Sequence, residues 1–256
     1  MPTGDEIAEA SEAPRTVLWG FWGTLIWGMA ILVVVNLLQT VGVFAVMVWR
    51  DGDAWTAAGS DPVHRLIETA SSGLGISVST IIAIIAYGAP VAGVIRLKKG
   101  AVLRAYLGLE PVSLARLRNW LGLLVGLLIV IELLGSALGR SSVSDFMTVA
   151  YATASPVWLL WLAVVIAAPV SEELFFRGFL LKGFAASFMG PIAAIMVTSA
   201  AWTALHIQYD AYDMATIFVS GLLFGAARLM TGSLLVPLAL HGATNLVAIT
   251  EVAFLG

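Results

Sequence analysis

The sequence predicts an all-α, polytopic bundle of transmembrane helices, and three observations carry that prediction. Hydrophobic residues make up 60% of the 256 residues and charged residues only 11%, whereas about 25% of the residues in a soluble domain are charged. The mean hydropathy is +0.96. The apolar residues are also grouped into runs long enough to cross a bilayer, which takes about 20 helical residues. We therefore expect a single transmembrane helical domain over residues 16–256.

There are seven apolar runs, or eight if one of them is divided or contains a re-entrant piece. A helix-breaking pair, Gly190 and Pro191, precedes the fifth run. In chain order the runs cover residues 16–49, 69–95, 119–139, 155–182, 192–207, 214–229 and 234–256. Residues 1–15 are acidic and lack the basic region of a signal peptide, so we expect a disordered cytoplasmic tail there.

The orientation follows from the lysines and arginines of the short loops, which mark the cytoplasmic side. Segment 96–118 holds six basic residues against one acidic residue, segment 50–68 holds two against four, and segment 208–213 holds no basic residue. We therefore expect segment 96–118 and the N-terminus in the cytoplasm and Glu251 outside. Lys182 and Arg228 fall on the cytoplasmic side by alternation. We expect a plasma-membrane protein of a prokaryote.

Composition also limits the chemistry and the partners. The chain has no cysteine, which excludes disulfides, thiolate nucleophiles and cysteine ligands to a metal. The net charge of −3 says little, because charge acts by location in a membrane protein. We expect membrane lipids and a membrane-anchored or amphipathic peptide or protein substrate as partners, and no nucleic acid.

A small set of ionisable and amide side chains lies within the apolar runs. Such groups cost roughly 2.5–3.5 kcal/mol each at the centre of a spanning helix, face the interior of the bundle and usually mark function. The set is Glu132, Glu172, Glu173, Arg177, His206, His241 and Asn245. Glu132 belongs to no motif, and we interpret it as a protonated, hydrogen-bonded structural acid.

Spacing sorts the remaining residues. Glu173 and Arg177 are separated by four residues with the acid first, which favours an ion pair within one helix. Glu172 is rotated about 100° away from Glu173 and is freer to act on another group. The same spacing of four recurs in His241 with Asn245, and in Trp202 with His206. Three helices are thus each predicted to present one polar face.

The rise of a helix gives the depth of these groups. At about 1.5 Å per residue, Glu172 lies about 15 Å from Lys182. His241 and Asn245 lie about 10–17 Å from the cytoplasmic end of the seventh run. His206 lies about 22 Å from the Pro191 end of the fifth run, which is also the cytoplasmic end. One buried site in the cytoplasmic half of the bundle is predicted, with His206 somewhat deeper.

These residue types are suited to hydrolysis. A carboxylate in a low-dielectric pocket beside another acid can serve as a general base near neutral pH. A histidine can hold the same water or move its proton. A second histidine with an amide can donate to the oxyanion of acyl transfer.

Three short motifs resemble those of the CPBP family, the CAAX protease and bacteriocin-processing (Abi) group of intramembrane proteases. EELFFR at 172–177 matches EExxxR, and HGATN at 241–245 matches HxxxN. WTALH at 202–206 matches FxxxH, with Trp202 in place of phenylalanine. The motifs occur in the order of the family, and the resemblance covers residues 164–256.

The resemblance implies a peptidase whose helices surround a buried catalytic cavity open to the membrane and the cytoplasm. Glu172 would activate the hydrolytic water and His206 would help to position it. His241 and Asn245 would form the oxyanion hole.

The resemblance further implies that Glu173 and Arg177 brace the site. The tryptophan at position 202 is expected to alter the packing beside His206 without removing chemistry.

No cofactor is expected, although zinc stays open as an alternative. Catalytic zinc takes two histidines, a glutamate and a water, and the ligands here would be Glu172, His206 and His241. The sequence has no HExxH motif, and the resemblance assigns these residues other roles.

Two other functions are compatible with buried acids and histidines. A proton-coupled transporter or channel uses such groups as a relay, but the sequence lacks the paired inverted repeats of many transporters. A non-catalytic membrane scaffold would not need to keep the whole set of acids and histidines.

Overall fold

The structure is a computed structural model that describes residues 16–56, 59, 61–141 and 143–256. The acidic tail expected over residues 1–15 lies outside the described residues. Within them the secondary structure is helical, with no β-strand. The helices are α1 (Phe21–Asp51), α2 (Pro62–Ser71), α3 (Gly73–Leu97), α4 (Leu103–Leu107), α5 (Leu114–Ala137), α6 (Asp145–Ala152), α7 (Val157–Ala185), α8 (Gly190–Ala204), α9 (Ala211–Thr231) and α10 (Leu235–Leu255), with a 3₁₀ turn at Gly52–Thr56.

The predicted fold class is confirmed. Each of the seven apolar runs forms a helix, and six of these helices (α1, α3, α5, α7, α9 and α10) are long and apolar enough to cross a membrane. The seventh, α8, has 15 residues and is about 22 Å long, short of a hydrocarbon core of about 30 Å. The short helices α2, α4 and α6 were not predicted, because none of them contains a long apolar run.

The outer surface of the bundle is apolar. Trp22, Ile85, Leu123 and Phe254 are each more than half exposed. An apolar surface of this extent is unfavourable in water and suits contact with lipid tails. The chain is therefore a multi-pass membrane protein.

Helix α7 lies at the centre of the bundle. It contacts α1, α3, α4, α8 and α10, and its residues from Phe175 to Leu181 are all buried. The ring of Phe175 lies 4.9 Å from that of Tyr87 on α3, and the ring of Phe179 lies 6.1 Å from that of Tyr106 on α4. This packing fixes the position of the helix that carries the first motif.

A wedge, defined as α4 and the chain up to Glu110, closes one end of the bundle against the turn between α9 and α10. Leu234 donates its backbone N–H to the carbonyl of Gly108 at 2.8 Å, and Ser233 donates its hydroxyl to the carbonyl of Glu110 at 2.6 Å. The guanidinium of Arg228 donates to the carbonyl of Leu107 at 3.0 Å. Gly108 has φ of +67°, and a Cβ there would collide with the Gly232 carbonyl and Arg228, so this contact requires glycine.

Candidate active site

A buried trio of charged and polar side chains lies beneath the site. Oε1 of Glu173 accepts hydrogen bonds from Nη1 of Arg177 at 3.1 Å and from Nδ1 of His241 at 2.9 Å. Glu173 and Arg177 have no exposed surface, and His241 is 3% exposed. Nη2 of Arg177 also donates to the carbonyl of Gly221 at 3.4 Å. The spacing predicted the ion pair, but the contact with His241 on α10 was not predicted.

Glu172 faces away from this trio, as its rotation on the helix indicated. Its Oε2 accepts a hydrogen bond of 2.5 Å from the indole Nε1 of Trp202 on α8. The ring of Trp202 also contacts both histidines edge-on, with centroids 5.3 Å from His206 and 5.1 Å from His241. Trp202 therefore packs beside His206 as expected, and it also supplies a hydrogen bond that phenylalanine, which has no N–H, could not donate.

His206 lies just beyond the helix on which it was predicted. Helix α8 ends at Ala204, and His206 occupies the turn that follows. Its Nδ1 lies 2.9 Å from the backbone carbonyl of Trp202. A carbonyl only accepts, so Nδ1 carries the hydrogen, and Nε2 of the neutral ring is an acceptor. His206 therefore reaches the site from the turn that follows α8 and not from the helix itself.

Asn245 is anchored to an irregular part of α7. Two π-helical turns, Ala163–Ala167 and Leu174–Leu180, flank the segment that carries the two glutamates. In a π turn the carbonyl of Val164 bonds the N–H five residues on, but that residue is Pro169, which has none. Nδ2 of Asn245 donates to the Val164 carbonyl at 2.8 Å instead. The Asn245 amide thus supplies the Val164 carbonyl with a hydrogen bond that lipid tails, which have no donor, could not give.

A cavity of about 570 Å³ brings the predicted groups together. Its walls come from α2, from α3 and from α5 to α10, and from the turns that follow α5 and α8. The predicted site residues on its walls are Glu172, His206, His241 and Asn245, and Trp202 and Glu132 are there as well. Glu173 and Arg177 are not among its lining residues. They reach the site through His241, which lines the cavity and is bonded to Glu173.

The cavity opens at the end of the bundle opposite segment 96–118. Its lining includes Arg140 and Ser141, which follow α5, and Gln208 and Tyr209, which precede α9. Ser141 and Gln208 are exposed. No described lining residue belongs to segment 96–118 or to the wedge. The cytoplasmic opening implied by the resemblance and the cytoplasmic position predicted for segment 96–118 therefore cannot both hold.

An ion pair joins the two loops at the rim of the cavity. The guanidinium of Arg140 contacts the carboxylate of Asp210 and lies 3.9 Å from that of Asp213. The backbone N–H of Asp213 and the Arg140 guanidinium hold the pKa of Asp210 below its usual value. The bond to Asp210 in turn raises the pKa of Arg140. These charges tie the turn after α5 to the start of α9.

The zinc alternative requires three ligands at one point. Among the described residues, no group of three or more histidine, aspartate or glutamate side chains is placed to hold a metal ion. The three side chains named for zinc all reach the cavity, but each already bonds another group. Glu172 is bonded to Trp202, His206 to a backbone carbonyl and His241 to Glu173.

Comparison with known proteins gives two matches. Residues 154–247 match the family model described as type II CAAX prenyl endopeptidase Rce1-like. These residues include all six predicted site residues. An uncharacterized 24.3 kDa protein of Escherichia coli is 34% identical over 149 residues, which cover 55% of this chain and 68% of that protein. No solved structure matches.

Proposed function

This chain belongs to the CPBP family of CAAX-type intramembrane endopeptidases, and we propose that it cleaves its substrates with a water molecule activated by Glu172. The observation that carries the proposal is the position of the Glu172 carboxylate on the cavity wall, together with His206, His241 and Asn245. A general base must first lie within reach of the proton that it takes. Trp202 holds Oε2 of Glu172, and Oε1 is not part of that hydrogen bond.

In the proposed reaction, Glu172 takes a proton from water as the oxygen attacks the peptide carbonyl. His206 is the second group for that water, because its Nε2 accepts a hydrogen bond once Nδ1 is bonded to the Trp202 carbonyl. Glu172 then returns the proton to the leaving nitrogen, and the peptide bond breaks.

His241 and Asn245 are proposed to stabilise the oxyanion that forms during attack. Nδ1 of His241 is engaged with the Glu173 carboxylate, so its Nε2 donates when the ring is an imidazolium. Asn245 uses one amide hydrogen on Val164 and keeps a second for the oxyanion.

The substrate is proposed to be a membrane-anchored or amphipathic polypeptide. The cavity volume of about 570 Å³ is in the range of small-molecule and peptide side-chain pockets. The family model that matches is named for prenyl endopeptidases of CAAX sequences, so a lipid-modified C-terminus is one substrate to include in the test.

The decisive experiment compares new peptide termini in membranes from cells that produce the wild type or Glu172→Gln. We expect a set of termini present with the wild type and absent with Glu172→Gln at equal expression. Glu110→Gln is the matched control, since this exposed carboxylate pairs with Arg104 far from the cavity. Identical termini from the wild type and Glu172→Gln would contradict the proposal.

Metal dependence is tested on the purified protein. If Glu172 activates water without a metal, cleavage should persist after exhaustive dialysis against a chelator and should not increase when zinc is added. A loss that zinc restores would replace the proposed mechanism with a metal-bound water held by Glu172, His206 and His241.

A further inference from the structure

The cavity around Glu172 has one open end and one closed end. At the open end its walls include the exposed Ser141 and Gln208. The closed end begins immediately below Glu172, where Phe175, Phe176 and Phe179 are at most 1% exposed. A peptide can therefore reach the site from one face of the bundle and not from the other.

The wedge reinforces the closed end. The carbonyls of Leu107, Gly108 and Glu110 are each bonded to the last turn of α9 or to the turn before α10. Leu107 packs on the backbone of α7, since a Cβ at Gly178 would lie 2.9 Å from Leu107 Cδ2. An opening here would break several buried hydrogen bonds at once.

The basic residues identify the two faces. The closed end carries eight of them: Arg96, Lys98, Lys99, Arg104, Arg116, Arg118, Lys182 and Arg228. The open end carries three, Arg50, Arg65 and Arg140, and each of these is paired with an aspartate. Lysine and arginine are retained on the cytoplasmic side of a membrane. The closed end thus has the composition of a cytoplasmic face.

From this combination we infer that the active site is entered from the extracytoplasmic side of the membrane. The inference rests on the proposed peptidase function and narrows its substrates. They are peptide segments lying in the outer half of the bilayer or bound to its outer surface. A lipid-modified C-terminus in the cytoplasm would meet the closed end.

The lining of the cavity suits a polypeptide that arrives in this way. Apolar side chains such as Leu128, Ile131 and Ile217 are interspersed with hydroxyls such as Ser136 and Thr244. An unwound peptide segment inside a membrane protein needs partners for its backbone N–H and C=O groups, and hydroxyls donate and accept. The cavity can therefore hold an extended chain with apolar side chains.

The absence of cysteine from the sequence makes the access side directly measurable. Single cysteines are introduced by Ser141→Cys at the rim of the cavity and by Thr216→Cys on its wall. A third is introduced by Lys99→Cys, at an exposed position on the closed end of the bundle. Each is combined with Glu172→Gln, so that the readout needs no cleavage. Intact cells and inverted membrane vesicles are then treated with a small, membrane-impermeant thiol reagent.

We expect the cysteines at 141 and 216 to react in intact cells, and the cysteine at 99 to react only in inverted vesicles. Reaction of 141 and 216 only in inverted vesicles would overturn the inference, as would reaction of 99 in intact cells. Labelling and cleavage are independent measurements. Extracytoplasmic labelling without wild-type cleavage products would reject the peptidase function, whereas cleavage with cytoplasmic labelling would reject only the access side.

Discussion

The indole Nε1 of Trp202 donates a 2.5 Å hydrogen bond to Oε2 of Glu172 and joins α8 to α7. The same indole lies against the rings of both histidines, and the guanidinium carbon of Arg177 lies 4.5 Å from its centroid. Trp202 thus contacts the Glu172 carboxylate, both histidine rings and the buried guanidinium of Arg177. We infer that it positions the Glu172 carboxylate for water activation.

The first prediction concerns this bond. Trp202→Phe keeps an aromatic ring and removes the donor. A hydrogen bond to a charged group contributes about 1.5–3 kcal/mol, so kcat should fall about 10- to 100-fold, with KM changed much less. Trp158→Phe is the matched control, because Trp158 is 64% exposed on the lipid-facing part of α7. Equal kcat values for Trp202→Phe and the control would remove the positioning role.

The second prediction concerns the buried Glu173 and Arg177. Glu173→Met leaves the Arg177 guanidinium buried without its carboxylate, which typically costs about 3–5 kcal/mol. The apparent Tm in detergent should fall markedly. Replacing both residues by methionine removes both charges and should recover most of the lost stability.

Activity separates the two roles of Glu173. His241 loses its acceptor in both variants, so the double variant should be well folded and still at least about 100-fold slower, the scale of a lost oxyanion donor. Recovery of activity together with Tm would show that Glu173 acts only as the partner of Arg177.

The third prediction concerns Asn245 and Pro169. Asn245→Ala leaves the Val164 carbonyl without its donor and should destabilise the protein by about 1–2 kcal/mol, the scale for polar contacts between membrane helices. Pro169→Ala restores a backbone N–H that can bond Val164. Asn245→Ala should therefore cost less stability in the Pro169→Ala background, as measured by a double-mutant cycle.

Cleavage by the same four proteins tests the oxyanion role of Asn245. If its second amide hydrogen acts on the oxyanion, Pro169→Ala will not restore the activity that Asn245→Ala loses. A joint recovery of stability and activity would assign Asn245 to structure alone.

The fourth prediction concerns pH and the rim. The pKa of Asp210 is lowered in the folded protein, so its contribution to stability is present above its unfolded pKa of about 3.9 and is lost as the pH falls through the lower folded value. The Tm of the wild type should therefore drop more steeply below about pH 4 than that of Asp210→Asn. This variant keeps a side-chain oxygen for the cap of α9. Parallel acid profiles would show that the pair with Arg140 contributes nothing.

The site was predictable to the extent that its contacts are local. The ion pair of Glu173 and Arg177 follows from spacing on one helix, and the structure has it at 3.1 Å. The bond from Trp202 to Glu172 was missed, although the tryptophan in a motif that has phenylalanine in the family was the available signal. The role of Pro169 was missed because π turns have no clear sequence pattern.

The sequence by itself determined the class of protein and its spans, because the bilayer imposes a minimum apolar length that can be counted residue by residue. It also predicted which residues carry the chemistry, because ionisable groups within such spans are costly and few. Only the tertiary structure decided how these groups pair across helices, since spacing gives the rotation of a side chain about its own helix and not the neighbour it meets. It also decided which end of the cavity is open, because that depends on the packing of the wedge against α7, α9 and α10.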